Sequence, residues 1–256
     1  MSEGHGLLDT IFDQLSPVHP DGHKFIAIAA AVTLLFFFLY PPLGWLCAGI
    51  TAWVIYFFRD PLRVTPLRPG LVVSAADGKI SGIEKIIPPA ELGLGSEERV
   101  RISTFLSVFD VHINRSPVAG RIIRSLYVPG KFLNAALDKA SEDNERRILV
   151  IETPTDGDVG VVQIAGLVAR RIVTFSDVGD AVGVGQRFGL IRFGSRVDIY
   201  LPPGKTALVS IGQRAVAGET VLADLHSPEP EREAHLNSRW EFHWLAMADS
   251  ISRCMK

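Results

Sequence analysis

The sequence predicts a mainly β protein with a hydrophobic helical segment near its N-terminus. One observation is an uncharged apolar run from Phe25 to Phe58. Another is the series of short apolar stretches that follows, separated by glycine, proline and aspartate. Short strands at regular spacing with turn residues between them are typical of a sandwich or a barrel. With 256 residues, 47% of them hydrophobic, the chain can fill a core and a membrane segment.

The apolar run is expected to form a helical hairpin. A helix that crosses a hydrocarbon core of ~30 Å needs about 20 residues, so the run is too long for one span and somewhat short for two. Pro41-Pro42 and Gly44 interrupt it near its middle. Because proline ends a helix and restricts the residue before it, the proline pair is expected to form the turn. The alternative is a buried hairpin in the core of a soluble protein.

The charges around this run predict its orientation. A hairpin places both ends on one face of the bilayer, with Lys24 before the run and Arg59, Arg63 and Arg68 after it. Such cations favour the cytoplasmic side of the inner cell membrane. The stretch of 24 residues before the run is long and acidic, whereas a signal peptide begins with a short basic region. A signal peptide is therefore not expected. The chain therefore divides into a polar approach at 1–24, a membrane-associated hairpin at 25–58, a β domain at 59–225 and a polar tail at 226–256.

Ten apolar stretches after the hairpin are expected to be strands. Most are five to nine residues long, as strands of a small barrel or sandwich are, and glycine, proline and aspartate punctuate the series. They are Leu71–Ser74, Ile80–Ile86, Arg99–Phe105, Gly120–Val128, Arg147–Glu152, Gly160–Val168, Arg170–Phe175, Gly189–Phe193, Val197–Leu201 and Thr206–Ile211.

A weak internal repeat narrows the expected fold of the β domain. Gly185-Gln186-Arg187 recurs as Gly212-Gln213-Arg214. The segment Asp177 to Gln186 also looks like the turns of biotinyl and lipoyl carrier domains and other barrel-sandwich hybrids. A carrier role is not expected, because the only Met-Lys pair is Met255-Lys256 at the terminus. A barrel-sandwich-hybrid-like β domain is the resulting prediction.

Composition excludes several classes of function. A formal net charge of −2 and the lack of a Lys/Arg cluster give no reason to expect a nucleic-acid partner. Two cysteines, Cys47 in the apolar run and Cys254 in the tail, indicate neither a disulfide framework nor a metal site. The chain is therefore expected to work in a reducing compartment, without a bound metal.

The dipeptide Gly194-Ser195 is an irregularity within predicted β structure. Apolar residues precede it, and Val197, Ile199 and Leu201 alternate with polar residues after it. Taken alone, the dipeptide is most simply a glycine bulge beside a solvated serine. Glycine also lets other groups approach its carbonyl closely, which would open the Gly194 peptide bond to attack by the adjacent hydroxyl. That attack is the first step of self-cleavage.

Only one of the seven histidines lies within the predicted β domain. His112 is placed between Val111 and Ile113, where a lone histidine is usually a structural group with its hydrogen bonds satisfied. Histidine is also the side chain best suited to act as a base near neutral pH. Asp77-Gly78, taken alone, is an ordinary turn signal.

Three segments of the chain occur in the order found in a known family. They are Ser74-Ala75-Ala76-Asp77-Gly78-Lys79-Ile80, Phe105-Leu106-Ser107-Val108-Phe109-Asp110-Val111-His112-Ile113-Asn114-Arg115-Ser116-Pro117-Val118-Ala119-Gly120, and the segment around Gly194-Ser195. Together they resemble the phosphatidylserine decarboxylase proenzymes of the short bacterial and archaeal type. The resemblance runs from about Arg59 to Leu225, which is most of the chain.

The resemblance implies a self-processing enzyme that carries a covalent pyruvoyl group. Ser195 would attack the carbonyl of Gly194, and the chain would split into a β chain of residues 1–194 and an α chain of residues 195–256. What remains of Ser195 would be the pyruvoyl group, which forms a Schiff base with the substrate amine in place of pyridoxal phosphate. The two chains would stay together as a heterodimer, and whether such heterodimers assemble further is left open.

The resemblance also implies roles for individual residues. His112 would be the base for maturation, and Asp77 would orient it and stabilise its imidazolium form. The long enterobacterial type has a second histidine three residues earlier, where this chain has Phe109. Candidate ligands for the lipid phosphate are Arg115, Arg192 and Arg196, because guanidinium groups pair well with phosphate.

The function that these features predict is decarboxylation of phosphatidylserine to phosphatidylethanolamine and CO2 at the cytoplasmic face of the membrane. A hydrophobic hairpin suits this substrate, since a lipid with two chains scarcely leaves the bilayer. One alternative is a membrane-anchored serine hydrolase that uses an intact Ser195, although no Gly-x-Ser-x-Gly motif surrounds that residue. Another is a non-catalytic barrel-sandwich module that binds a partner.

Overall fold

The computed structural model describes residues 16–130, 144–166, 171–192, 195–227, 229–230 and 232. Within them the protein is mainly β, with a curled half-barrel sheet and an N-terminal pair of helices. The predicted fold class is therefore confirmed. The predicted domain boundaries stay a prediction, and most of the polar tail lies outside the described residues.

The helical pair consists of α1, Pro20–Leu39, and α2, Pro41–Phe57. Tyr40 joins them in an extended conformation with φ −155° and ψ 93°. The prediction that Pro41-Pro42 forms the turn was wrong, because both prolines belong to the first turn of α2. Proline is tolerated there, since the first N–H groups of a helix have no partner within the helix. The hairpin itself is as predicted, although α1 begins five residues before Phe25.

The two helices pack through small and polar residues. Thr33 Oγ1 and Thr51 Oγ1 are 2.9 Å apart and bond each other across the interface. Gly44 leaves space for Phe37, which a Cβ on the glycine would approach to 2.6 Å. Most large apolar side chains of the pair point outward, among them Ile28, Leu34, Leu35, Phe38, Leu39, Trp45 and Leu46.

One of these helices is long and apolar enough to cross a membrane. It is α1, with 20 residues, whereas α2 is an apolar helix of 17 residues, somewhat shorter than the roughly 20 residues of a typical span. Exposed apolar surface of this size is typical of contact with a membrane or with another protein. Association with a membrane is what the sequence predicts for this pair.

Thirteen strands form three sheets in the described part of the chain. In chain order they are β1 Leu71–Val73, β2 Gly78–Ile86, β3 Arg99–Leu106, β4 Ile113–Arg115, β5 Gly120–Val128, β6 Arg146–Glu152, β7 Asp158–Ala165, β8 Ile172–Thr174, β9 Ala181–Val182, β10 Arg187–Ile191, β11 Ser195–Tyr200, β12 Arg214–Ala215 and β13 Val221–Asp224. The large sheet has the order β12-β2-β3-β11-β7-β6-β5-β9, and the smaller ones are β4-β10-β8 and β1-β13. Neighbouring strands are antiparallel throughout.

The main core lies on the concave side of the large sheet. Val197 and Ile199 of β11 point into it, together with Ile102 of β3 and Val161 of β7. The intervening residues of β11 face the other side, because successive side chains of a strand alternate. There Tyr200 packs with a second apolar cluster.

Most of the strands lie where the sequence predicts them, but one predicted strand is absent from the described residues. Residues Thr206–Ile211 were expected to be a strand and form none. Leu208 N donates to Leu222 O at 2.8 Å, but this bond is not part of a continuous ladder. The short strands β4, β9, β12 and β13 were not predicted, since two to four residues show no measurable periodicity.

The internal repeat corresponds to one kind of turn used twice. Gln186 Oε1 accepts from Gly183 N at 2.8 Å, and Gln213 Oε1 accepts from Ser210 N at 3.2 Å. The glycine before each glutamine has a positive φ, 72° at Gly185 and 93° at Gly212, a conformation that glycine adopts without strain. Each turn leads into a short strand, β10 in one copy and β12 in the other.

Candidate active site

Ser195 is the first residue of β11, in the middle of the large sheet. It pairs with Leu106 at the end of β3 and with Ala165 at the end of β7. The side chain is completely buried, and among the described residues its hydroxyl has no hydrogen-bond partner. Gly194 lies outside the described residues. Burial of a serine hydroxyl without a hydrogen-bond partner costs free energy of folding. Such a group therefore indicates a functional role.

Several chain segments meet where Ser195 lies. Gly78 begins β2 there, while β3 and β7 end there, at Leu106 and Ala165. We call this end of the strands of the large sheet the serine end. The opposite end of the same strands is called the far end, and it is marked by Ile86, Arg99, Asp158 and Tyr200.

Asp77 lies at the serine end, directly before β2. Because β3 lies between β2 and β11, the backbone at Asp77 is about two strand spacings, or ~10 Å, from Ser195. Gly78 is required here, since a Cβ on it would be 2.1 Å from the carbonyl oxygen of Phe105. The pair is not a hairpin turn, because β1 and β2 pair with other strands and not with each other.

His112 reaches the same region from the small sheet. It precedes β4, and its carbonyl oxygen accepts from Ile191 N, the last residue of β10, at 3.2 Å. Four residues after Ile191 the chain arrives at Ser195. Arg115 N donates to Ala75 O at 2.9 Å, which fixes the His112 segment beside the segment that carries Asp77. The three residues predicted from the sequence therefore lie in one region.

The imidazole of His112 is buried and oriented. Its Nδ1 is 2.9 Å from the carbonyl oxygen of Asp110, and because a carbonyl can only accept, Nδ1 carries the proton. The ring of Phe57, the last residue of α2, covers it at a centroid distance of 4.3 Å. Burial lowers the pKa of His112 to about 4. The ring is thus neutral at pH 7, with its basic lone pair on Nε2.

Asp77 is held by two other groups. Its Oδ1 accepts from Ala217 N at 2.8 Å, and its Oδ2 accepts from Arg63 Nη2 at 2.6 Å. Burial raises the pKa of Asp77, while the bonds from Ala217 and Arg63 oppose that rise. The Nδ1 atom of His112 faces the carbonyl of Asp110 instead. A direct role of Asp77 in orienting His112 therefore remains a prediction.

Asp110 was not identified from the sequence as part of this region. Its Oδ2 accepts from Ser107 N at 2.8 Å and from Ser107 Oγ at 2.7 Å, and its Oδ1 forms an ion pair with Arg214. These bonds fix the loop whose carbonyl orients His112. The spacing of Ser107 and Asp110 is a common turn pattern, and it was the available signal.

The three arginines proposed for the lipid phosphate lie in different surroundings. Arg196 is buried in a two-point ion pair with Asp198, with both distances 2.8 Å. Arg115 is buried and donates to the carbonyls of Gly185 and Pro61. Arg192 lies beside α1, and among the described residues its buried Nε has no partner. Of the three, only Arg192 combines a buried N–H still to be satisfied with a position at the membrane helices.

Phe109 lies at the surface beside the base of the helical pair. It is 61% exposed, which is high for a phenylalanine in a folded domain. Its carbonyl oxygen accepts from Arg59 Nη2 at 2.8 Å, and the Arg59 guanidinium stacks on the ring of Tyr56 at 3.6 Å. The loop before His112 is thus joined directly to the end of α2.

Known proteins resemble this chain over most of its length. The family model for phosphatidylserine decarboxylase matches residues 50–223. A phosphatidylserine decarboxylase proenzyme from Nitrobacter winogradskyi is 60% identical over 216 residues, which are 84% of this chain and 87% of the relative. One from Ruegeria pomeroyi is 59% identical over 211 residues, 82% of this chain and 96% of the relative.

Fold, site and relatives together place the chain among the decarboxylases that are made as proenzymes. More narrowly, it belongs to the phosphatidylserine decarboxylase family, so the resemblance found in the sequence is confirmed. The matched range includes the last turns of α2 and the segment that follows, so Phe57 and Arg63 lie within the family region.

Proposed function

We propose that this protein cleaves itself between Gly194 and Ser195 and then converts phosphatidylserine into phosphatidylethanolamine and CO2. The observation that carries the proposal is the completely buried Ser195 hydroxyl at the head of β11, without a hydrogen-bond partner among the described residues. A hydroxyl so placed reaches its own backbone more readily than it reaches a lipid. Its reaction partner is then the adjacent peptide bond.

Self-cleavage uses only groups of this chain and water. His112 Nε2 takes the Ser195 proton, and Oγ adds to the carbonyl carbon of Gly194. Breaking the C–N bond gives an ester and a free amine. Loss of the Ser195 α-proton then breaks the ester, which leaves a carboxylate on Gly194 and a dehydroalanine at residue 195. Water replaces the nitrogen of residue 195 as ammonia, and a pyruvoyl group remains.

The position of Ser195 suits such a group. It would be the N-terminal group of the α chain, held in the sheet between Leu106 and Ala165. Once formed, the pyruvoyl group supplies an electrophilic carbonyl that accepts the electron pair left by CO2, a role that no ordinary side chain can fill. Among the described residues no cluster of three or more metal-ligating side chains occurs, and the proposed mechanism uses no metal.

The sheet explains why the two chains would remain together. After cleavage β11 belongs to the α chain, yet it pairs along all six residues with β3 and β7 of the β chain. Strands β12 and β13 of the α chain pair with β2 and β1. Separation would break all four pairings, so we infer a stable heterodimer. Further assembly into a homo-oligomer is left to measurement.

The serine end is where we expect the lipid to enter. His112 lies under Phe57, and Arg192 lies within 5.2 Å of the ring of Phe25 near the start of α1. Arg192 is our candidate ligand for the lipid phosphate, with the exposed Phe109 beside the acyl region. Since both ends of the helical pair meet the β domain, the catalytic part lies on one side of the bilayer, which we take to be the cytoplasmic side.

The two alternative functions are less well supported. A serine hydrolase must expose its nucleophile to substrate, whereas Ser195 is completely buried and begins a paired strand. A binding module without catalysis gives no reason for a buried serine hydroxyl that has no hydrogen-bond partner among the described residues. Family membership also favours the decarboxylase.

Intact-mass measurement of the purified protein tests the first half of the proposal. We expect two chains that break after Gly194, the smaller with an N-terminus that borohydride reduces. The Ser195→Ala protein should remain one chain, while Ser103→Ala, a buried serine of the neighbouring strand, should still cleave. A wild-type chain of 28.0 kDa with an unmodified Ser195 would refute self-processing.

A substrate comparison tests the second half. Vesicles containing phosphatidylserine should release CO2 with the cleaved protein, and free serine at equal concentration should not. Release from serine alone would assign the protein to soluble amino-acid decarboxylation. Release of fatty acid from uncleaved protein would support the hydrolase instead.

A further inference from the structure

Three arginines follow the membrane helices, and all three contact the β domain. Arg59 donates to the carbonyl of Phe109, Arg63 pairs with Asp77, and Arg68 pairs with Asp224. The connecting segment is also fixed by Asp60, which lies within 3.4 Å of Arg115 and 2.8 Å of Arg187. Thr65 packs against Gly185, where a Cβ would approach its Oγ1 to 2.2 Å. The segment from Arg59 to Arg68 therefore packs against the β domain and forms part of its folded structure.

The contact of Arg63 differs from the other two. Its partner, Asp77, lies at the serine end, and each of the two side chains is only 14% exposed. The N···O distance is 2.6 Å, which is typical of a charge-assisted bond. By contrast, the Arg68 side chain is 62% exposed, and its partner Asp224 lies in β13.

We propose that Arg63 is a positioning residue for self-cleavage, which holds the Asp77 carboxylate ionised and fixed while Ser195 reacts. This inference rests on the proposed function, namely self-cleavage at Ser195, and on the role in maturation that the family resemblance implies for Asp77. With Oδ1 bound by Ala217 N, the Arg63 contact at Oδ2 occupies the second oxygen and leaves the carboxylate one orientation.

The charges around Asp77 explain why a cation is needed. Burial disfavours its carboxylate, and the nearby Asp110 adds repulsion. Arg63 bonds Asp77 directly, while Arg59 and Arg115 lie close enough to act on it through space. Removing Arg63 therefore takes away the only one of these cations that bonds the carboxylate. The pKa of Asp77 rises, and a larger share of the chains carries a protonated Asp77 at neutral pH.

The test follows self-cleavage of the full chain made by cell-free translation with phosphatidylethanolamine–phosphatidylglycerol vesicles. Synthesis is stopped, samples are transferred to buffers from about pH 6 to 9.5, and conversion to two fragments is timed. We expect Arg63→Gln to cleave about tenfold more slowly at pH 7, the usual size of one lost charge-assisted bond, and to recover toward pH 9. Arg63→Lys should restore most of the rate. Arg68→Gln, the matched control, should cleave like wild type.

The outcomes separate this inference from the function on which it rests. Cleavage of Arg63→Gln at the wild-type rate, or slowing by one factor at every pH, overturns the positioning role. The second result would mean a purely structural contact or a folding defect. If Asp77→Asn also cleaves at the wild-type rate, the maturation role of Asp77 fails. If Asp77→Asn is inert while Arg63→Gln is normal, only the role of Arg63 fails.

Discussion

The two ends of the large sheet differ in the kind of space they offer. At the far end lies an open cavity of about 360 Å³, lined by residues that include Leu71, Val118 and Thr153. At the serine end, Ser195 and His112 are buried and tightly packed. This cavity thus lies away from the residues that we propose for the chemistry. A closed site is reasonable when the first reaction is with the chain itself.

The ends also differ in what encloses them. The far cavity is lined by turns and loops of the β domain, including Leu67 to Gly70, whereas Phe57 of α2 and Arg63 contact residues at the serine end. Phe57 packs on His112, and Arg63 bonds Asp77, so two residues of the membrane-proximal segment contact the two proposed maturation groups. The helical pair and the proposed maturation site are therefore parts of one packed structure.

The largest expected difference between the ends is in self-cleavage. His112→Gln removes the proposed base at the serine end and should slow cleavage by about 10²-fold or more, the usual contribution of general base catalysis. His226→Gln changes a histidine at the far end, where its Nε2 is bonded to Asp156 at 2.6 Å, and should cleave normally. The measurement is the rate of fragment formation. Equal rates for both variants would remove His112 from the mechanism.

The next effect concerns the cover over His112. Phe57→Ala should let water reach the imidazole of His112. Because burial is the main cause of the low pKa of His112, that pKa should rise from about 4 toward its ordinary 6.5. The base must be neutral to act, so cleavage should begin to fall at a pH about one unit higher than in wild type. Loss should thus be greatest below pH 6.

Phe38→Ala is the control for the cover, since Phe38 is also a phenylalanine of the helical pair but is 88% exposed. Its pH profile of cleavage should match that of wild type. If Phe57→Ala instead lowers the rate equally at every pH, Phe57 serves only to dock the helices, and burial of His112 by this ring is not what keeps the base neutral.

Whether the sequence predicts a structural feature depends on how far apart in the chain the interacting residues lie. The helical pair and the long strands follow from local composition and periodicity, and both were found. The ion pair of Arg196 with Asp198 was also within reach, because residues i and i+2 of a strand lie on one face. The pair was not predicted, because Arg196 was interpreted as a phosphate ligand next to Ser195 and not as a partner of Asp198.

Other features have no local signal. The contact of Phe57 with His112 joins residues 55 positions apart, and that of Arg63 with Asp77 joins residues on different segments without a shared period. Residues 206–211 have the alternation of a strand but no ladder partner, so pattern alone misleads there. Burial of Ser195 likewise depends on its neighbours in β3 and β7.

A third test compares the ends in substrate binding. Arg192→Gln should raise KM for phosphatidylserine about tenfold, with little change in kcat, if the guanidinium binds the lipid phosphate in substrate and transition state alike. Arg121→Gln, an exposed arginine at the start of β5, is the control and should leave KM unchanged. Rates are divided by the fraction of cleaved chains, because residue 192 is close to the cleavage site. A fall in kcat alone would argue against phosphate binding.

The smallest effect is expected from filling the far cavity. Ala119→Trp places a large side chain in the space beside Val118 and Thr153, and neither self-cleavage nor kcat/KM should change by more than about twofold, because surface substitutions away from a site usually have small effects. Both quantities are measured on the same preparation, and the Tm reports whether the domain is intact. A tenfold loss of decarboxylation with normal cleavage and Tm would show that the far end takes part in catalysis. The contrast between an open inactive end and a closed reactive end would then be wrong, and the lipid route would have to be sought through the cavity.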